Sequence, residues 1–391
     1  MVEVKGDRPF IYLDHAATSW PKPAAVIEAV REAMEHDSAN PGRGSHAMAV
    51  RASRILFDTR KSLAKLLAVK NPNDIAFALN TSMALNTVIK GFLKPGDHVI
   101  ATAIEHNSVR RPLEYLKKLG IIDVTYVEPD ERGQLDAKQV GLAFRPNTKL
   151  AVVSHSSNLL GSILPVADIG ELTRRNGVKL LVDAAQTAGI MDIDVEGMGI
   201  DFLAFPGHKG LLGPQGTGGL YIHPDVDLEP LLHGGTGSQS ESIEQPSVRP
   251  DRYEAGTQNT AGISGLGAGV KYVLHETVQK IHNKEWALTQ NIMEGLGALK
   301  NVRLLGPELG QPRTGIVSFV IDGADPSEIG FILDQHYNIA VRTGFHCTPL
   351  AHETAGTLET GAVRASVGCF TTSQEVEAFV EAVKEIVQHY S

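Results

Sequence analysis

The sequence predicts an α/β protein in which a large, mainly parallel sheet carries helices on both faces and a smaller α+β domain follows. Three observations predict it. Short apolar or β-branched runs alternate with amphipathic stretches through the first two-thirds of the 391 residues, the rhythm of βαβ units. Those runs are apolar throughout rather than alternating, as strands buried on both faces are. From about residue 262 the pattern changes to two long helical stretches, several short strands and a last helix.

In chain order, residues 1–20 read as an N-terminal arm packing with the small domain, 21–261 as the large domain and 262–391 as the small one. "IAFAL" (75–79), "HVIAT" (98–102), "VTYVE" (124–128), "KLAVVSH" (149–155), "VKLLVD" (178–183) and "DFLAF" (201–205) are the expected strands. Between them "SVRRPLEYLKKLG" (108–120) and "VADIGELTRRNG" (166–177) have helical periodicity, each ending on a glycine that stops a helix. Residues 233–251 are polar and aperiodic, which predicts a long surface or interface loop. Stretches 262–282 and 283–299 predict two helices, and 373–390 a third.

Bulk properties narrow the function classes. The chain is 42% hydrophobic and 21% charged, with a formal net charge of −9 and no basic tract. That argues against a nucleic-acid or membrane-surface protein, which needs clustered Lys and Arg. Two cysteines, Cys347 and Cys369, allow no disulfide framework, so a reducing, cytoplasmic location is expected. Neither a signal peptide nor a run long enough to span a membrane is evident. Fifteen histidines occur without an HExxH pattern, so no metal site is expected.

The stretch "FPGHKGLLGPQGTGGLY" (205–221) surrounds Lys209 with glycines. It matches neither the Walker motif nor the dinucleotide fingerprint. Its neighbours explain it better. Asp183 ends an apolar strand 26 residues earlier, which leaves room for one further strand before Lys209. An acid and a lysine therefore emerge on the carboxyl edge of one sheet, where ligands of such sheets bind. His106 and Asn158 follow two other strands, and Thr81 and Ser82 open a helix whose free N–H groups favour a phosphate. Pyridoxal phosphate needs this set: a lysine for its aldehyde, an acid for its ring nitrogen, a flat side chain on the ring, and a phosphate anchor. The glycines would let backbone pass close to a planar group.

These residues, with "NPGRGSH", "VDAAQ", "GHK", "YEAGTQN", "VRTGFHC" and "RAS" in order and spacing, resemble the class V aminotransferase superfamily of pyridoxal-phosphate enzymes, and within it the cysteine desulfurases. The resemblance implies the fold type I architecture, with a large domain built on a seven-stranded type of sheet, and a homodimer with active sites at the subunit interface. It implies that Lys209 carries the cofactor, Asp183 pairs with its ring nitrogen, and His106 stacks on the ring and assists proton transfers. Gln186 and Asn158 would approach the phenolic oxygen and the substrate carboxylate. Thr81, Ser82 and His208 would hold the phosphate, with Thr257 reaching in from a second subunit. Arg364 would clamp the substrate carboxylate; Arg342 is a further candidate for substrate contact, and Arg43 and His46 of "NPGRGSH" either contact substrate or brace a loop. Three positions depart from the family pattern: Pro206 stands where a phosphate-binding serine is common, Met83 where an acid is, and Phe345 where the first of two histidines is.

Cys369, in "ASVGCF", reads as a buried small hydrophobe. Cys347 reads as a catalytic thiol: His346 precedes it, Arg342 lies nearby, and positive charge beside a thiol favours the thiolate. The Gly- and Thr-rich tract after it predicts a mobile loop that must swing between substrate and acceptor. The expected activity is a cysteine desulfurase, which moves sulfur from L-cysteine to Cys347 as a persulfide, then to an acceptor protein or to sulfide. Two alternatives are a selenocysteine lyase and a class V aminotransferase or epimerase that does not use Cys347.

Overall fold

The computed structural model describes residues 8–42 and 44–390. Arg43 and the first seven residues of the expected arm lie outside the described residues. After β1 (Ile11–Tyr12), helices α1 (Ala24–His36) and α2 (Ala47–Leu66) precede the large sheet. That sheet is built from β2 (Ile75–Ala78), β3 (Asp97–Thr102), β4 (Ile122–Val127), β5 (Thr148–Ser154), β6 (Lys179–Asp183), β7 (Phe202–Pro206) and β8 (Gly218–Ile222). Helices α3 (Thr81–Phe92), α4 (Asn107–Lys118), α5 (Ala137–Leu142) and α6 (Val166–Arg175) connect the strands. Two long helices, α7 (Thr260–Glu276) and α8 (Val278–Gly297), lead into β9 (Val302–Leu305) and β10 (Ile316–Ile321). The chain finishes with α9 (Pro326–Tyr337), β11 (Ile339–Ala340), β12 (Arg342–Gly344), α10 (Pro349–Thr354), β13 (Ala362–Ser366) and α11 (Ser373–Val387).

The large sheet has the order β2-β8-β7-β6-β5-β3-β4, parallel except that β8 runs against both neighbours. All six expected strands form, with ends shifted by two residues or fewer. Strands β5 and β6 show why their sequences are continuously apolar. Ala151, Val153, Leu180 and Val182 enter the core on one face, and Leu150, Val152 and Leu181 enter the core on the other. Strand β8 was not expected. Its first two residues are glycines, and a Cβ on Gly219 would stand 2.5 Å from the Phe205 ring. Close packing on β7 thus demands a residue type that weakens the strand signal.

The small domain carries the antiparallel sheet β12-β13-β10-β9, with α8 and α11 packed together over it. β1 pairs in parallel with β11, Ile11 opposite Ile339, so the N-terminal segment joins the small domain. The expected boundary at 262 falls inside α7, which packs on α1 and α2 of the large domain. α7 runs on for about four more turns and ends at Thr277, where α8 begins. There φ is +69°, and the side chain accepts from the Lys280 amide to cap α8. Among the described residues no helix is long and apolar enough to cross a membrane.

Candidate active site

One cleft opens at the carboxyl edge of the large sheet, where the small domain closes over it. Asp183, Lys209, His106, Asn158, Thr81, Ser82, Gln186, His208, Arg342 and Arg364 all line it, with Asn80, Ser108, Ser154, Ser156 and Pro206. Sheet topology produces this gathering. β3, β5, β6 and β7 are parallel, so the residues that follow them leave on one side.

Asp183, the last residue of β6, is 5% exposed, and its carboxylate accepts from the Ala185 amide at 2.9 Å. Burial pushes it up to about 6, while the Ala185 amide and the Lys209 charge pull the other way. Burial, reinforced by the Arg364 charge, brings Lys209 down to about 8. A fair fraction of this amine is therefore uncharged, and so nucleophilic, near neutral pH. His106 caps α4: its Nδ1 accepts from the Ser108 amide at 3.0 Å. Burial and the Lys209 charge hold its pKa near 4. The ring is thus neutral with its proton on Nε2. His208, next to Lys209, is likewise held near 4 by burial.

The glycines flanking Lys209 serve the protein's own packing. A Cβ on Gly210 would meet the Ala188 carbonyl at 2.5 Å, so this loop is pressed onto the 184–190 segment. The loop is also gripped from the N-terminal side. The His208 carbonyl accepts from the Ser19 amide at 3.0 Å and from Lys22 Nζ at 2.9 Å.

Two arginines face each other across one rung, because Arg342 on β12 pairs with Arg364 on β13. Like charges directly opposite on a sheet are destabilising, and both side chains line the cleft. Arg364 is buried. One terminal nitrogen bonds the Asn158 carbonyl at 2.8 Å and the other meets Asp14 at 2.9 Å, leaving its buried Nε without a partner. Asp14 offsets one positive charge, and a second anion is needed between the pair. At the other end of the cleft, Asn80 caps α3 by accepting from the Met83 amide at 2.9 Å. The amides of Thr81 and Ser82 have no intrahelical partner. The donor set therefore fits pyridoxal phosphate: α3's N-terminus and hydroxyls for the phosphate, Asp183 for the ring nitrogen, His106 for the ring face, and Lys209 for the aldehyde.

Several expected residues are placed elsewhere. His46 is exposed and caps α2, so it does not reach its own chain's cleft. Thr257 lies in a separate depression with Gly42, Arg60, Thr236 and Glu254. Cys347 is exposed just outside the cleft that His346 lines. His346 is not the cationic neighbour expected of it: burial and Arg364 hold its pKa near 3. Part of the tract expected to be a loop is ordered as secondary structure. His346 and Cys347 form a tight turn with φ of +50° and +57°, and the next residues form α10. The Cys347 carbonyl accepts from the Asn107 amide at 2.8 Å, and the His346 carbonyl from Asn158 Nδ2 at 2.7 Å. The buried Thr348 hydroxyl bonds the Glu105 carbonyl at 3.2 Å. Asn158 is thus committed to this turn and to Arg364.

Sequence reasoning missed Asp14, Ser19, Lys22, Asn80 and Ser108. Asn80 and Ser108 had a local signal, since each sits where a helix start needs a capping or first-turn polar residue. Asp14, Ser19 and Lys22 act across the N-terminal segment, which no local pattern connects to Lys209.

A parallel-stranded sheet with a lysine and a buried acid at its carboxyl edge, roofed by a small α+β domain, is the architecture of pyridoxal-phosphate-dependent transferases of fold type I. The chain belongs to the class V aminotransferase superfamily and, within it, to the cysteine desulfurase-like family: the aminotransferase class-V model matches residues 11–379. It is 38% identical to a probable cysteine desulfurase of Methanothermobacter thermautotrophicus, covering 97% of this chain and 95% of that one. It is 37% identical to a probable cysteine desulfurase of Pyrococcus abyssi, covering 99% and 97%. The apo structure of a cysteine desulfurase from Thermococcus onnurineus superposes with a TM-score of 0.90 at 36% identity, covering 97% of this chain and 95% of that one.

Proposed function

We propose that this chain is a pyridoxal-phosphate-dependent cysteine desulfurase that releases L-alanine and keeps the sulfur on Cys347 as a persulfide. The observation that carries the reading is the convergence of Lys209, buried Asp183 and the facing pair Arg342 and Arg364 on one cleft. When bound, the cofactor supplies an electron-withdrawing ring that stabilises negative charge at the substrate's α-carbon.

The chain's residues supply the rest. Arg364 and Arg342 bind the substrate carboxylate, their free N–H groups matching its two oxygens. That contact fixes which substrate bond faces Lys209. Lys209, lowered to about 8, takes the α-proton and returns a proton to the substrate skeleton. Asp183 holds the proton of the ring nitrogen as an ionised, buried partner. Neutral His106 offers a flat face and an Nε2 donor. The Cys347 thiolate attacks the substrate Sγ. An S–S bond forms, the Cβ–Sγ bond breaks, and the pair left at Cβ takes up a proton. L-Cysteine and the Cys347 thiol thus become L-alanine and the Cys347 persulfide, with no external oxidant or reductant. Because the turn is pinned, substrate and acceptor come to the thiol. A homodimer places Thr257 and His46 toward the partner's cleft, and the reaction runs in the cytoplasm.

The test is to incubate the cofactor-loaded protein with L-cysteine and with L-selenocysteine, measuring alanine together with sulfide or selenide. Cys347→Ala should cut sulfide formation from cysteine at least about 100-fold while keeping the visible absorption of the lysine-bound cofactor. Unchanged turnover of cysteine in that variant would exclude the persulfide route. A selenocysteine rate that survives the substitution would favour a lyase.

A further inference from the structure

Resting on that reading, we propose that the exposed face of α4 is the docking site for an acidic acceptor protein that receives sulfur from Cys347. The row starts at the backbone of Cys347. The Asn107 amide, at the head of α4, donates to the Cys347 carbonyl at 2.8 Å. From Asn107 the positions 111, 115 and 118 follow at helical spacing. They lie opposite the buried positions Val109, Pro112, Leu113 and Leu116. They hold Arg111, Tyr115 and Lys118, all exposed, with Tyr115 at 54%. Lys90 of α3 lies 5.7 Å from the centre of the Tyr115 ring and widens the basic strip. Leu119 and, beside the thiol, Phe345 add exposed apolar surface.

This row departs from what a solvated helix face needs. Arg110 in the first turn and Arg111 directly after it make the start of α4 basic, where the helix dipole disfavours a cation, and no acidic residue stands in that turn. Arg111 and Lys118 make no hydrogen bond or ion pair among the described residues. The chain as a whole carries −9, so a run of unpaired cations is a local reversal of its field. Arg and Tyr beside exposed apolar groups are the composition of protein interface centres. α4 packs on β4, the edge strand opposite β2. That places it at the far side of the sheet from the 233–259 segment and Thr257, leaving the face free in a dimer built there. The pinned turn requires an acceptor that approaches the thiol, and a negatively charged face would be steered to it.

The experiment uses the cofactor-loaded protein and two synthetic peptides of equal length, one glutamate-rich and one lysine-rich. Cysteine-free, fluorescein-labelled versions are titrated by anisotropy. Versions with one cysteine are tested as acceptors of radiolabelled sulfur loaded from L-cysteine. The acidic peptide should bind at least about tenfold tighter at low salt, with the gap closing as salt rises, and should take up sulfur faster. The double variant Arg111→Glu with Lys118→Glu should reverse both preferences. Arg111→Gln with Lys118→Gln should abolish them, and serves where the charge reversal fails to fold. Transfer to dithiothreitol should be unchanged in the glutamine variant. Equal binding of the two peptides, or a preference that survives both double variants, overturns the proposal. Oligothymidylate that binds tighter than the acidic peptide and blocks transfer overturns it in favour of a nucleic acid. Failure of Cys347 to take label overturns the desulfurase reading instead, and the anisotropy arm still decides what the face binds.

Discussion

Arg342 and Arg364 show how a single rung of sheet is spent on binding rather than stability. Two guanidiniums at directly opposed positions repel, and only Asp14 on Arg364 compensates. Such a pair persists where a ligand anion completes it. Arg342→Met should therefore stabilise the unliganded protein by about 0.5–1 kcal/mol, because it removes the repulsion and keeps the stem. The same change should raise KM for L-cysteine at least about tenfold with a smaller effect on kcat, since the lost contact is ground-state binding. Thermal denaturation without substrate and steady-state kinetics measure the two effects. Loss of stability together with an unchanged KM would assign Arg342 to structure alone. Neither arginine's partnership is local in sequence. "VRTGFHC" and "VRAS" each carry an arginine, but the register that opposes them exists only once β12 and β13 pair.

At the scale of elements, the Cys347 turn differs most from expectation, and the reason is physical. A Gly- and Thr-rich tract reads as mobile because its residues weaken regular structure. Here Thr348 is buried against the backbone of Ile104 and Glu105, and His352 stacks on His346 and bonds Thr357 at 2.8 Å. Hydrogen bonds to distant backbone tie down a segment whose composition alone favours a loop. Two successive non-glycine residues at positive φ cost roughly 1–2 kcal/mol each, so the turn holds only while its latches do. Asn158→Ala removes the bond to the His346 carbonyl. It should raise the iodoacetamide reactivity of Cys347 several-fold and lower kcat about tenfold with the thiol still present. Unchanged alkylation would show that the Asn107 and Thr348 contacts suffice. The strands of the large sheet were legible because burial on both faces leaves an unbroken apolar run, and with them the edge where Asp183, Lys209, His106 and Asn158 gather. β8 was hidden by Gly218 and Gly219, and the end of the large-domain helical layer by a left-handed Thr277 in continuous helical periodicity. The contacts of Asp14 and Lys22 depend on folding an N-terminal segment across the whole chain.

For the molecule as a whole, stability is bounded on both sides of neutral pH by groups buried in their neutral forms. Six histidines, His15, His106, His155, His208, His346 and His352, are held near 3 or 4 by burial. Their folded values lie below the ordinary 6.5, so the stability they permit is present above about 6.5 and is lost as pH falls toward 4. On the alkaline side the leading group is Glu285 of α8, in the cavity where the two domains meet behind Lys209. It is 3% exposed, has no hydrogen-bond or ion-pair partner among the described residues, and burial pushes it up to about 8. Its folded value lies above the unfolded 4.5. The folded state therefore holds a proton that the unfolded chain has released, and stability falls as pH rises from about 4.5 to about 8. An unpaired carboxylate there costs on the order of a few kcal/mol, borne by the contact between small and large domains. Glu285→Gln keeps the shape and removes the titration. The variant's Tm should match the parent's near pH 5 and exceed it by several degrees at pH 8.5. The difference between the two proteins, measured by calorimetry across that range, isolates Glu285 from Asp183, Glu105 and the histidines, which both share. A difference that stays flat from pH 5 to 8.5 would mean that the carboxyl keeps an ordinary pKa and that the cavity supplies its missing hydrogen-bond partners.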